Sequence, residues 1–213
     1  MWVGATLTLL PWGLLADRIG ERIVLAAGLG TCGVLTAAAG LMDSFAAVVA
    51  LLAVAGGMGA SVNAASGRAV MQWFSARQRG FALGVRQTAI PLGGAVAALA
   101  LPAVNSVGGL KASFGFLGGL CLFGAAFAAI AVREAARTEA EVAVEDVEWT
   151  LRDSRLWILS AGSGLYLFAQ IALMSFIVLF LHDVHGLSDG AAAGALAAMQ
   201  VGAVITRISA GRI

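Results

Sequence analysis

Arg86 and Arg68 are the residues of this chain best suited to chemistry. Each stands inside or at the end of a long apolar run, where a permanent guanidinium is costly and is kept for a partner or a cavity. A helix starting near residue 79 carries Arg86 roughly 10 Å along its axis, and Arg68 falls near the end of the preceding run. A guanidinium holds a carboxylate or phosphate-like group through two parallel N–H donors. The two arginines are therefore expected to line one cavity and to take a small organic or inorganic anion. The competing reading is that each lays its stem along apolar surface and reaches water or backbone carbonyls with its head. No acid lies within the same apolar runs to neutralise either.

Asn63, Gln87, Tyr166, Gln170 and Gln200 are the uncharged polar residues in similar surroundings. Each could orient a bound solute by hydrogen bonds, and each could equally join two helices. Gln87 follows Arg86 directly and points about 100° away from it on a helix, so the two do not face one cavity centre equally. His182 and His185 are spaced as a metal-binding pair on a helix would be, but they sit with Asp183 and Asp189 in a short polar loop and are expected to be solvated. Cys32 and Cys121 lie in apolar runs without a paired motif, so neither a disulfide nor a metal site is expected. Signatures for zinc hydrolysis, phosphate cradling and dinucleotide binding are missing. Ala161, Gly162, Ser163 and Gly164 approach the G-x-S-G of intramembrane serine proteases but lack its first glycine. The chain is not expected to be an enzyme, and no cofactor or metal is expected.

The elements that position these residues are legible from charge spacing. Only 12% of the 213 residues are charged and 60% are hydrophobic, against roughly 25% charged for a soluble domain. Uncharged windows run 1–16, 23–41, 46–67, 87–110, 112–132, 156–181 and 190–206. Most reach the roughly 17 to 25 residues that span a bilayer as a helix. They are continuous rather than alternating, which excludes a barrel. The fold class is therefore all-α: a polytopic transmembrane bundle of about seven helices, at 1–16, 23–41, 46–72, 78–104, 112–132, 156–181 and 190–208. The lipid bilayer is its first partner. Net charge is +1, and no nucleic acid is expected as a partner.

Alternate connectors carry very different charge. One set holds Arg18, Arg22, Arg77, Arg79, Arg133, Arg137, Arg152, Arg155, Arg207 and Arg212; the other, at 42–45, 105–111 and 182–189, holds Lys111 alone. Positive connectors stay on the cytoplasmic side, so the first helix is expected to run from outside to inside. The polar stretch 133–155 has an apolar stripe at Ala140, Val144, Val147 and Leu151 and reads as an amphipathic cytoplasmic linker.

The connector GLLADRIGER, 13–22, closely resembles the loop signature G-x-L-A-D-[RK]-x-G-[RK]-[RK] of the major facilitator superfamily of secondary transporters. Gly13, Asp17, Arg18, Gly20 and Arg22 match it; Glu21 stands where the family more often has a base. RISAGRI at 207–213 looks like the start of a second such loop. The resemblance implies secondary active transport of a small solute by alternating access, with a coupling proton or ion, in a bacterial inner membrane. It also implies that the loop aspartate, here Asp17, holds one conformational state by contacts with the opposite half. Laid on the family pattern, the chain covers family helices two to eight. Residues 1–132 would then be the remnant of the N-terminal bundle, with five helices. Residues 133–155 would be the central linker, and 156–213 the start of the C-terminal bundle. The chain is expected to be a piece of a longer transporter, unable to transport alone. Pro91, Leu92, Gly93 and Gly94 fall one residue short of the family's antiporter element Gly-Pro-x-x-Gly-Gly. The alternative is a non-transporting polytopic membrane protein, such as a sensor or a nonfunctional remnant.

Overall fold

The computed structural model describes residues 2–132 and 152–210. Among these, all regular structure is helical: α1 (Trp2–Ile19), α2 (Glu21–Ala39), α3 (Phe45–Trp73), α4 (Ala76–Gln87), α5 (Ala89–Ala131), α6 (Ser154–Asp183) and α7 (Asp189–Ala210). The molecule is an all-α polytopic bundle. Five described stretches are long and apolar enough to cross a membrane, and α4 with α5 forms one of them, 56 residues long. At 1.5 Å per residue that stretch is more than two bilayers long. It is divided at Gly109, whose φ of 64° and ψ of −159° are not helical. The connector expected at 105–111 is thus helical on both sides of one glycine, because a residue free to adopt positive φ turns the chain without a longer loop.

Residues 110–131 return along α2. Gly40 lies against Phe114, Gly33 against Gly118 and Gly30 against Ala125, an antiparallel register. α2 also packs on α3, and α1 on α3. Two hydrogen bonds tie α1 to α3: Thr8 Oγ1 and Trp12 Nε1 both donate to the Gly57 carbonyl at 2.7 Å. Ala16, Val24, Leu25, Ala65 and Ala128 form the buried apolar centre, with Trp12, Val62 and Val132 against it. Few bulky side chains are inside. Leu10, Phe45, Phe127 and Ile130 stand exposed, the inverse of a soluble domain and the surface a lipid solvent requires.

Small residues set the helix spacing. A Cβ added at Gly33 would sit 2.8 Å from the Gly118 carbonyl oxygen, and one at Gly118 would sit 2.7 Å from the Gly33 carbonyl oxygen. The two backbones nearly touch, as small-residue faces allow in membranes. Gly33→Val should therefore lower the melting temperature of the detergent-solubilised protein, by an overpacking cost of about 1–3 kcal/mol. Gly119→Ala, beside which nothing lies within 4 Å, should leave it unchanged. Equal melting of both variants would contradict this packing.

Local chemistry explains the remaining boundaries. Pro91 has no N–H to give the Gln87 carbonyl, and the helix is interrupted at Thr88, whose hydroxyl donates to the Val85 carbonyl at 2.7 Å. Arg79 closes the end of α3 by donating to the Met71 and Phe74 carbonyls at 2.9 and 3.2 Å. Asp153 caps α6 by accepting from the Arg155 N–H at 2.9 Å. The chain divides into two compact units, Met1–Ala135 with Gln200–Ile213, and Ala136–Met199. In the second unit, α6 carries no buried residue.

Candidate functional site

The α1–α2 corner is a single residue. Gly20, with φ 91° and ψ 157°, precedes α2 without a side-chain cap, a conformation closed to most L-residues. This sharp corner brings the last turn of α1 and the first turn of α2 to one place. Asp17 and Glu21 lie on either side of it, and both meet Arg68 of α3.

Asp17 forms an ion pair with Arg68 Nη1. Glu21 accepts from Arg68 Nε at 2.9 Å. Gln72 stands one turn beyond Arg68; with its amide oriented to suit its neighbours, it donates to Glu21 Oε1 at 3.0 Å and accepts from Arg68 Nε and Nη2 at 2.9 and 3.2 Å. The two carboxylates differ sharply in exposure: the Glu21 side chain is 6% exposed and that of Asp17 is 53% exposed. The guanidinium is thus shared between a carboxylate held in the interior and one facing solvent. Arg68 was expected to await an anion from outside; its anions come from α1 and α2 of its own chain. Asp17 likewise finds its cation within the same unit, where the resemblance placed its partners in the opposite half. Gly13, Arg18 and Arg22 complete the loop motif. Nothing lies within 4 Å of a Cβ built at Gly13, and Arg18 and Arg22 are exposed.

Arg86 is a different case. It lies in the last turn of α4 and donates from Nη1 to Ser66 Oγ of α3 at 3.0 Å. Ser66 in turn bonds the Val62 carbonyl. Among the described residues the buried Arg86 Nε has no partner, and no carboxylate is paired with this guanidinium. Ser66 and Arg68 are two residues apart, so they project about 200° apart around α3. Arg86 and Arg68 therefore lie on different sides of α3 and do not form the two-arginine site that the sequence leads one to expect. Ser66 was missed because a serine in a small-residue helix carries no signal of its own.

The polar residues divide. Gln87 Oε1 accepts from Arg207 Nη1 at 3.5 Å. Gln200 is buried, with its amide laid against Gly94; a side chain at Gly94 would displace it, which gives Gly94 a packing role. Asn63 and Tyr166 are exposed and Gln170 is half-buried. His182 Nδ1 meets the Leu187 carbonyl oxygen at 3.0 Å and Asp189 at 3.3 Å. Among the described residues no group of three His, Cys, Asp or Glu side chains comes together. The linker stripe at Ala140, Val144, Val147 and Leu151 lies outside the described residues.

Comparison with known proteins adds the family. The profile of the Major Facilitator Superfamily matches residues 1–213. Two curated proteins from Mycobacterium tuberculosis, strains CDC 1551 / Oshkosh and H37Rv, each named an uncharacterized MFS-type transporter, are 30% identical to it over 211 residues. The match takes in 98% of this chain and 47% of each relative, so the chain spans about half the length of the curated relatives it matches.

Proposed function

Because the chain belongs to the major facilitator superfamily, we propose that it is part of a secondary active transporter that moves a small solute across the cell (inner) membrane. Two halves would rock about a midplane site in alternating access, driven by a coupling proton or ion. In this reading 1–132 contributes to the N-terminal bundle, 133–155 is the cytoplasmic linker and 156–213 opens the C-terminal bundle.

A small organic or inorganic anion is the proposed solute class. One observation carries it: Arg86 has a buried, unpartnered Nε and no carboxylate paired with it among the described residues. A cation at depth in an apolar span is costly, and Ser66, a neutral acceptor, does not balance the charge. An exogenous carboxylate or phosphate-like group would supply both the charge and the missing acceptor. Asn63, Gln87, Tyr166, Gln170 and Gln200 are proposed as hydrogen-bonding residues along the solute path. Arg68 is assigned to the loop cluster rather than to the solute, because two carboxylates already neutralise it. Uptake of radiolabelled anionic and cationic solutes by proteoliposomes of the full-length protein tests the class. Uptake of cations alone would remove it.

The proposed orientation places connectors 17–22, 73–79, 133–155 and 207–213 in the cytoplasm, since ten of the eleven connector cations lie there. Ala140→Cys should label with an impermeant maleimide in inside-out vesicles and stay unlabelled in intact cells. Labelling from the outside of intact cells would reverse the topology.

A further inference from the structure

By charge spacing Arg207 is one more connector cation. The fold gives it a place beside Arg86. Gln200 and Arg207 of α7 belong to the same compact unit as α4 and α5. Gln200 lays its amide against Gly94, and Arg207 Nη1 meets Gln87 Oε1 at 3.5 Å. The partners are equally spaced on the two sides and run in opposite order, so α7 is antiparallel to this stretch: 87 faces 207 and 94 faces 200. That spacing is close to two helical turns, so both contacts fall on one face of α7. Two contacts in one register, one of them through a side chain only 2% exposed, hold Arg207 beside the last turn of α4.

That turn also carries Arg86. Arg86 and Gln87 project about 100° apart, so Ser66 of α3 and Arg207 of α7 stand on adjacent rather than opposite sides of α4. Two half-buried guanidiniums therefore flank one turn. Their side-chain partners among the described residues are neutral: Ser66 for Arg86 and Gln87 for Arg207. Helices α3, α4 and α5 contain no acid, and the one acid of α7, Asp189, stands roughly 27 Å along the helix from Arg207. Asp17 and Glu21 are engaged by Arg68 on another side of α3. Two like charges at neighbouring places in apolar surroundings repel each other, and each is costly by itself. A monoanion balances one of them; a dianion balances both.

On the anion reading proposed above, we infer that Arg207 is a second solute-binding arginine and that the solute is a dianion, a dicarboxylate or a phosphate-like group. Arg86 takes one charge through its fork, including the Nε that is buried without a partner among the described residues. Arg207 takes the other charge from the α7 side. Its contact with Gln87 is longer than an ordinary N–H···O bond, so it is readily exchanged for a charge-assisted one.

The test is equilibrium binding to the full-length protein in detergent, at a mildly alkaline pH where phosphate is doubly charged. The probes are radiolabelled succinate, inorganic phosphate, butyrate and choline. Succinate or phosphate should bind at least about tenfold more tightly than butyrate, the monoanion. Which of the two binds tells a dicarboxylate from a phosphate-like group. Arg207→Gln should lose the preference, with the dianion weakened at least about tenfold and butyrate little changed. Arg207→Lys should recover part of it, since the charge returns without the fork. Melting temperatures without solute show whether the variants fold. If Arg207→Gln does not, wild type still decides: a bound dianion should raise its melting temperature more than butyrate does. Butyrate binding as tightly as both dianions, full dianion preference in folded Arg207→Gln, or binding of neither dianion would each overturn the inference. The first of these leaves the anion class standing, whereas binding of choline alone removes that class as well.

Discussion

Glu21→Arg should sharply reduce the folded yield and the melting temperature, Arg68→Glu should do the same, and the two together should restore much of both. The Glu21 side chain is 6% exposed and rests on Arg68 Nε at 2.9 Å. Reversing one charge leaves two like charges facing each other on the buried side of the cluster. Breaking a buried pair from one side costs about 3–5 kcal/mol, because the remaining charge stays desolvated. Gln72 makes the penalty heavier, since its amide is oriented by both partners at once. The double reversal puts opposite charges back in contact, though with exchanged geometry. Asp17→Asn is the calibrating variant. Asp17 shares the same guanidinium but is 53% exposed, and exposed pairs contribute about 0–1 kcal/mol. Fluorescence-detected gel filtration and thermal melting in one detergent would rank all four. If Glu21→Arg melts with Asp17→Asn, the buried half of the cluster is not what fastens this corner.

The same asymmetry assigns different tasks to the two acids. Glu21 is the anchor, and Asp17 is the carboxylate whose pairing with Arg68 costs little to break, because it is 53% exposed. Glu21, the motif's departure from the family pattern, holds Arg68 from the buried side, and Asp17 meets it from the exposed side. The departure is compensated three-dimensionally: an acid where the family more often has a base meets a base on α3.

How far the sequence led is clearest residue by residue. Five of the seven expected helices lie within a few residues of α1, α2, α3, α6 and α7, because an apolar run bounded by charge has one solution in lipid. The break expected at 105–111 is there but is made by Gly109 alone, and a single glycine among 28 has no mark that sets it apart. The break at Thr88 was likewise hidden, although Pro91 supplies its cause. Arg68 was read as unneutralised because its acids lie in the connector, not in its own run. The spacing held one usable clue: Arg68 and Gln72 are four apart on α3, so they present one face.

Arg86→Lys should reduce anion transport at least about tenfold at normal expression, and Arg86→Gln should reduce it further. A guanidinium carried into an apolar span is costly, up to about 2.5–3.5 kcal/mol at a span's centre on insertion scales, and the Ser66 hydroxyl at 3.0 Å returns only part of that cost. The remaining donors include the buried Nε, which has no acceptor among the described residues. Lysine keeps the charge and removes the planar fork, so it separates simple charge balance from bidentate recognition. Glutamine removes the charge while keeping a polar end. Ser66→Ala isolates the positioning contribution: it should raise the solute concentration needed for half-maximal uptake more than it lowers the maximal rate, because the guanidinium is retained but less well oriented. Melting temperatures of the three variants tell a binding defect from a folding defect. If Arg86→Lys and Arg86→Gln both fold and both transport like wild type, Arg86 is a structural arginine and the anion site lies elsewhere. A lysine variant that matches wild type beside an inactive glutamine variant would instead keep the charge requirement and discard the two-donor geometry.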